Sequence, residues 1–172
     1  MLIRDTARSL AHLAWVERRL FEVVGSWVAG TADGEVAALF AARSMHHGWR
    51  AALLGERVPV LHDLDPLELE PPTSFVALLD GVSASADDLE RLVALAQVVG
   101  PALVERHQAM LHASTEVADA PVTRALRLIV LDEQDDQRAA ELLLSPRMRN
   151  DGDMARAAAH RSALTRLLPP GL

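Results

Sequence analysis

Apolar residues recur at steps of three and four through most of the chain, and this recurrence predicts an all-α protein. The first predicted helix covers residues 2–28. Ile3, Leu10, Leu13, Ala14, Leu20, Phe21, Val24 and Val28 lie on one face, with Glu17 at its centre. After the turn Gly30-Thr31-Ala32-Asp33-Gly34, a second helix is predicted over residues 35–57, stopping before Pro59. Its stripe is Leu39, Ala42, Trp49 and Leu53, with His46 in the middle; Arg43 and Arg50 border it, and His47 lies about a quarter turn away.

The pattern fails over residues 58–86. Pro59, Pro66, Pro71 and Pro72 punctuate this stretch and Asp63, Asp65, Glu68 and Glu70 acidify it, although a short helix at 73–79 fits. It is too long for a tight turn and could carry the chain along the whole length of a bundle. A third helix is predicted over 86–114, opening with Asp87 and Asp88 at its positive end. Leu89, Leu92, Val93, Ala96, Leu103, Met110 and Leu111 form its stripe with His107, and Gly100-Pro101 should kink it. The fourth, 121–144, starts on Pro121 and carries Val122, Leu126, Ile129, Ala140 and Leu144. A short C-terminal helix, 153–168, presents Met154, Ala158, Leu164 and Leu168. Residues 1–172 read as one domain, with the bundle over 2–144.

The chemistry centres on Asp132-Glu133-Gln134-Asp135-Asp136, in the middle of the fourth helix. The apolar stripe runs through Glu133 and within a turn of Asp136. Buried acids are costly unless paired, hydrogen-bonded or bound to metal. Each long helix carries such a group near mid-length: Glu17, His46, His107, and Glu133 with Asp136. Their distances from the turns predict one shared layer of the core, with Arg43 at its edge. His47, His62, His112 and His160 read as surface residues.

Composition narrows the field. The formal charge of −7 argues against nucleic acid as a main partner. The absence of Cys excludes disulfides and thiolate metal sites. No apolar run reaches about 18 residues, so no membrane span is expected. Met1-Leu2-Ile3-Arg4-Asp5 lacks the apolar core of a signal peptide, and a cytoplasmic protein is the expectation. No nucleotide-binding loop, Ser/His/Asp order or zinc-finger spacing occurs.

Two helical hairpins joined by a long connection, with ionisable residues inside, resemble the ferritin-like superfamily of carboxylate-bridged di-metal proteins. The resemblance implies a four-helix bundle with a long crossover between helices 2 and 3. In that family the first and third helices each give a Glu, and the second and fourth each give Glu-x-x-His. Glu17 matches the first. The second helix reads Arg43-Ser44-Met45-His46, keeping the His alone. The third holds His107 at the core position, and the fourth reads Glu133-Gln134-Asp135-Asp136, with Asp in place of His.

An Arg at a bridging Glu position puts positive charge beside the metals, so a pair is hard to support; two His and two carboxylates suit one Fe, Mn or Zn ion. Three readings stay open. The first is a metal-dependent oxidoreductase or oxygenase. The second is a metal-free bundle with a small-molecule ligand in its core, and the third a bundle whose polar network only fixes register. The metal-free side is narrowly favoured by Arg43 and Asp136, each replacing a residue that a di-metal centre would want. Trp15, Val16 and Val23 form a second apolar patch, either beneath the crossover or at a homodimer face on the first hairpin; the resemblance tilts toward the dimer.

Overall fold

The computed structural model describes residues 3–62, 73–115 and 119–169. It is all-helical, and among the described residues there is no strand. Helix α1 spans Ile3–Val28 and α2 Gly34–Gly55; α3, Thr73–Ser83, follows. The third long helix has three parts: α4, Asp88–Val93, a π-helical turn, Ala94–Val99, and α5, Gly100–Ala113. Helix α6, Ala120–Leu144, ends in the 3-10 turn Ser145–Arg147, and α7 spans Asp151–Thr165. Of the predicted loop chemistry, Asp63, Asp65, Pro66, Glu68, Glu70, Pro71 and Pro72 lie outside the described residues. No helix among the described residues is long and apolar enough to cross a membrane.

Two apolar clusters build the core. One gathers Leu10, Leu13, Leu54, Met110, Val122, Leu126 and Ile129; the other gathers Leu20, Val24, Trp27, Val36, Phe40, Leu92, Val99, Ala140 and Leu144, among others. Between them, in sequence, every long helix carries its buried acidic, basic or imidazole side chains. Helices α1 and α6 pass from the first cluster to the second, while α2 and the third long helix pass from the second to the first. Adjacent helices therefore run antiparallel. The end of α2, at Leu54, lies in the first cluster, and the start of α4, at Leu89, lies in the second.

Local chemistry fixes the hairpin. Asp33 caps α2 by accepting the N–H groups of Glu35 and Val36 at 3.0 and 3.3 Å. Ser44 Oγ donates to the Phe21 carbonyl at 2.8 Å, and Gly25 makes room: a Cβ there would lie 2.8 Å from that hydroxyl. Trp27 meets Phe40 edge-on at 5.3 Å. With these contacts α2 lies one residue out of phase with the predicted stripe. Its buried face is Val36, Phe40, Arg43, Ser44, His47, Arg50, Ala51 and Leu54. Trp49 is exposed, and Leu39, His46 and Leu53 are only partly buried. On α1, Ile3 and Phe21 are likewise exposed rather than core.

The second apolar patch is not a free face. Val16 and Val23 are buried in one cluster with Phe75, Leu78, Leu79 and Val82 of α3, and Trp15 packs against it. A dimer face through Trp15 and Val23 is therefore corrected: α3 already covers it. Helix α7 docks through Ala157 and Leu164, while Met154 and Ala158 face outward. It is clamped by Arg156 to Asp87 at 2.7 Å and by a bond between Ser85 Oγ and His160 Nε2 at 3.0 Å.

The expected kink at Gly100-Pro101 takes the form of the π turn. Pro101 has no N–H for the carbonyl four residues back, and its ring crowds that carbonyl. Widening the preceding turn lets the Gly100 N–H bond to Leu95 O, five residues back. A Cβ on Gly100 would lie 2.8 Å from that same oxygen. Gly100→Ala should therefore cost about 1–3 kcal/mol in urea unfolding. Gly34→Ala, with nothing within 4 Å of the added carbon, should change stability by about 0.5 kcal/mol or less. Equal effects of the two would refute this account of the turn.

Candidate metal centre

The layer between the apolar clusters is built from all four long helices. Glu17 comes from α1, Arg43, His47 and Arg50 from α2, His107 from α5, and Glu133 and Asp136 from α6; all are buried. Steps of four and three put Arg43, His47 and Arg50 on one face of α2. Asp132 precedes Glu133 at the rim, with its side chain 32 % exposed.

Arg50 is the hub. Its Nε donates to Asp132 Oδ2 at 2.8 Å and one terminal nitrogen to Glu133 Oε1 at 3.0 Å; the other reaches Asp132 and Asp136. His47 Nδ1 and Glu17 Oε2 share a proton at 2.6 Å. His107 Nε2 stands 4.0 Å from Glu17 Oε1, beyond hydrogen-bond reach. Arg43 lies 3.3 Å from Asp136. His46 Nδ1 meets Asp136 Oδ1 at 2.8 Å from the surface side.

Burial dominates the electrostatics. It raises Glu17 to about 7 against the pull of Arg50. It raises Glu133 to about 8, with Glu17 adding to the effect. It lowers His47 to about 3, helped by Arg43, and His107 to about 3, helped by Arg50. Burial alone would raise Asp136, but Arg43 and Arg50 outweigh it and hold that carboxyl below the usual range. Both imidazoles are thus neutral at pH 7, each with a lone pair on one ring nitrogen. Counting the buried charges, three carboxylates against two guanidiniums leave one net negative charge, which a single proton on Glu17 or Glu133 can cancel.

Several atoms of the centre have no hydrogen-bond partner among the described residues, Glu17 Oε1, Glu133 Oε2, His47 Nε2 and His107 Nε2 among them. Folded proteins satisfy almost all such atoms. One donor atom from each of Glu17, His47 and Glu133 lies within 4.8 Å of the others. Neutral imidazole with carboxylate is the donor set of Zn²⁺, Mn²⁺ and Fe²⁺. His46, Asp132 and Asp136 form a second such group. There Arg50 already donates to both acids, so its guanidinium stands where a second cation would.

Of the predicted residues, Glu17, His107 and Glu133 are fully buried in the layer and Asp136 borders it. His46 does not join them: its side chain is 43 % exposed, and it reaches the centre only through Asp136. His47, read as a surface residue, takes its place with no exposed surface. The α2 positions three apart that face the core are thus Ser44 and His47, one residue on from Arg43 and His46. Arg43 lies inside the layer rather than at its edge, and Arg50 is fully buried too. The signal for these residues was present as a second stripe, Phe40, Arg43, His47, Arg50 and Leu54, equally regular but interrupted by charge.

The shifts set a pH profile for the metal-free protein. Glu17 and Glu133 are raised from 4.5, so their contribution is complete below pH 4.5 and lost as pH rises through about 7 to 8. His47 and His107 are lowered from 6.5, so theirs is complete above pH 6.5 and lost as pH falls toward about 3. With chelator present, melting temperature should fall from pH 6.5 to 8, and Glu133→Gln should flatten that alkaline limb. A melting temperature that climbs steadily over the same range would mean that both glutamates are ionised in the fold.

No protein-family model matches this chain, and no curated protein or solved structure matches it significantly.

Proposed function

We propose that this chain is a ferritin-like four-helix bundle with a crossover between α2 and α4. In this reading its centre binds one divalent ion, Fe²⁺, Mn²⁺ or Zn²⁺, through Glu17, His47, His107 and Glu133, and the protein works as a metal-dependent enzyme of the oxidoreductase type. One observation carries the reading. Carboxylate oxygens and imidazole nitrogens from all four long helices meet in a buried layer without hydrogen-bond partners among the described residues. A divalent ion gives them a partner and relieves the repulsion between Glu17 and Glu133. One ion fits better than two, because Arg43 and Arg50 already supply two buried positive charges.

A metal-free network is the second reading, favoured by Arg50, whose guanidinium answers three carboxylates of α6 by itself. The two part on metal content. Protein purified without chelator should hold close to one ion per chain. Excess chelator should lower its melting temperature, since metal at a hundred times its Kd stabilises by about 2.7 kcal/mol. Glu133→Gln should lose the ion. A wild-type melting curve unchanged by chelator and by added Fe²⁺, Mn²⁺ or Zn²⁺ would sink the metal reading.

The proposed assembly remains a homodimer through the outer face of the first hairpin. Its residues are now Phe21, Met45 and Trp49, which are exposed there, with Phe21 lying against Gly48. Light scattering should give twice the chain mass at high micromolar concentration; a monomer mass counts against it.

A further inference from the structure

Arg43 is unlike Arg50. Both guanidiniums are fully buried, yet none of the three nitrogens of Arg43 has a hydrogen-bond partner among the described residues. Its nearest acid is already committed. Asp136 accepts from Arg50 on Oδ2 and meets His46 on Oδ1, and the remaining approach of Arg43 is a 3.3 Å charge contact. A guanidinium carries five N–H donors in a planar fork. With only a charge contact to one acid, a guanidinium buried away from water keeps an unmet demand for acceptors. Arg43 sits one turn before His47 on the face of α2 that carries the centre, so its fork shares the layer with Glu17, His47 and Glu133.

The charges point the same way. The buried groups carry one net negative charge when all are ionised, and one divalent ion would leave one net positive charge. A monoanion then closes the count at zero. Planar oxyanions match the guanidinium fork with two parallel bonds, which a spherical ion cannot do. The centre's own groups are closed to solvent, so the anion is small.

We propose that Arg43 is the anion-recognising residue of this centre, and that the metal-loaded protein binds a small planar oxygen monoanion, a carboxylate or an inorganic oxyanion, between Arg43 and the metal. This rests on the one-metal reading above. It names the class of substrate or co-ligand the centre takes.

The test uses Co²⁺-loaded full-length protein and its visible spectrum. Formate should change the spectrum saturably, and chloride at the same ionic strength should not. Arg43→Met, with unchanged Co²⁺ content and circular dichroism, should weaken formate binding by about tenfold or more. Arg43→Lys keeps the charge and loses the fork; it should weaken binding too, and it serves where Arg43→Met does not fold. Nitrate and bicarbonate acting as formate does would point to an inorganic ligand class, and a response to formate and acetate alone to a carboxylic acid. Failure can be told apart. A wild type that takes up no Co²⁺ overturns the metal reading, and this proposal with it. A wild type that takes up Co²⁺ but shows no change at about 100 mM formate, responds equally to chloride, or binds as tightly after Arg43→Met overturns this proposal alone.

Discussion

Arg50 sends its guanidinium from α2 into the side of α6 and answers Asp132, Glu133 and Asp136 from a position with no access to solvent. A charge in that place tolerates little slippage. Turning α2 by one residue would carry Arg50 about 100° away and leave Glu133 buried opposite an apolar side chain. Breaking such a pair costs about 3–5 kcal/mol, more than a misplaced Leu or Trp at the rim. The rotation of α2 follows from this asymmetry, and so does the solvent exposure of Trp49 and Met45 on its far side. Arg50 also sets how many cations the centre can hold, because it fills the gap between two acids that a second ion would need.

The polar layer also organises the apolar packing. It divides the core into two clusters, one toward the start of α1 and one toward its end, and each long helix contributes to both. The apolar residues alone do not fix the relative heights of four smooth helices. A layer in which Glu17 must meet His47, and Glu133 must meet Arg50, does fix them. The π turn lies within the second cluster, where five of its six residues are buried. There the missing N–H of Pro101 is accommodated by a wider turn instead of a broken helix, which lets the third long helix reach His107 in line with the others.

Much of this architecture is legible in apolar spacing, and the exceptions share a cause. Helix boundaries follow caps and breakers such as Asp33, Asp87 and Pro121, which act locally and so can be read locally. Glu17, His107 and Glu133 sit on stripes whose other members are apolar, and they are where those stripes lead. On α2 the same rule misdirects. Its core face carries Arg43, Ser44, His47 and Arg50, each answering a group on another helix, so the apolar count is higher on the face that turns to solvent. The partners of a buried charge are far away in sequence: Arg50 and Glu133 are 83 residues apart. Periodicity within one helix does not contain them. Matching the three buried acids of α1 and α6 against the bases of α2 would have chosen His47 over His46, since only that face also brings Arg43 and Arg50 inward. Val16 and Val23 were ambiguous for a related reason, because their cover, α3, lies beyond a stretch with no periodic pattern of its own.

What the centre can do follows from how its charges are paired. Arg50 has an acid for every side of its fork and has no donor left for a further ligand. Among the described residues, Glu17 and Glu133 each keep one oxygen unanswered, and His107 keeps its Nε2, on helices whose positions are already fixed by other contacts. Unsatisfied groups on a rigid frame are a different object from unsatisfied groups on a loose one: they cannot relax toward one another, so their need for a partner persists as a preference for whatever fits between them. Protons on the glutamates satisfy the charge but not the imidazoles. A divalent ion satisfies both, and in doing so it reverses the sign of the buried charge around Arg43. In the proposed reading the cation comes first, because without it the ionised acids of the layer outnumber the guanidiniums of Arg43 and Arg50 and an added anion would meet a net negative charge.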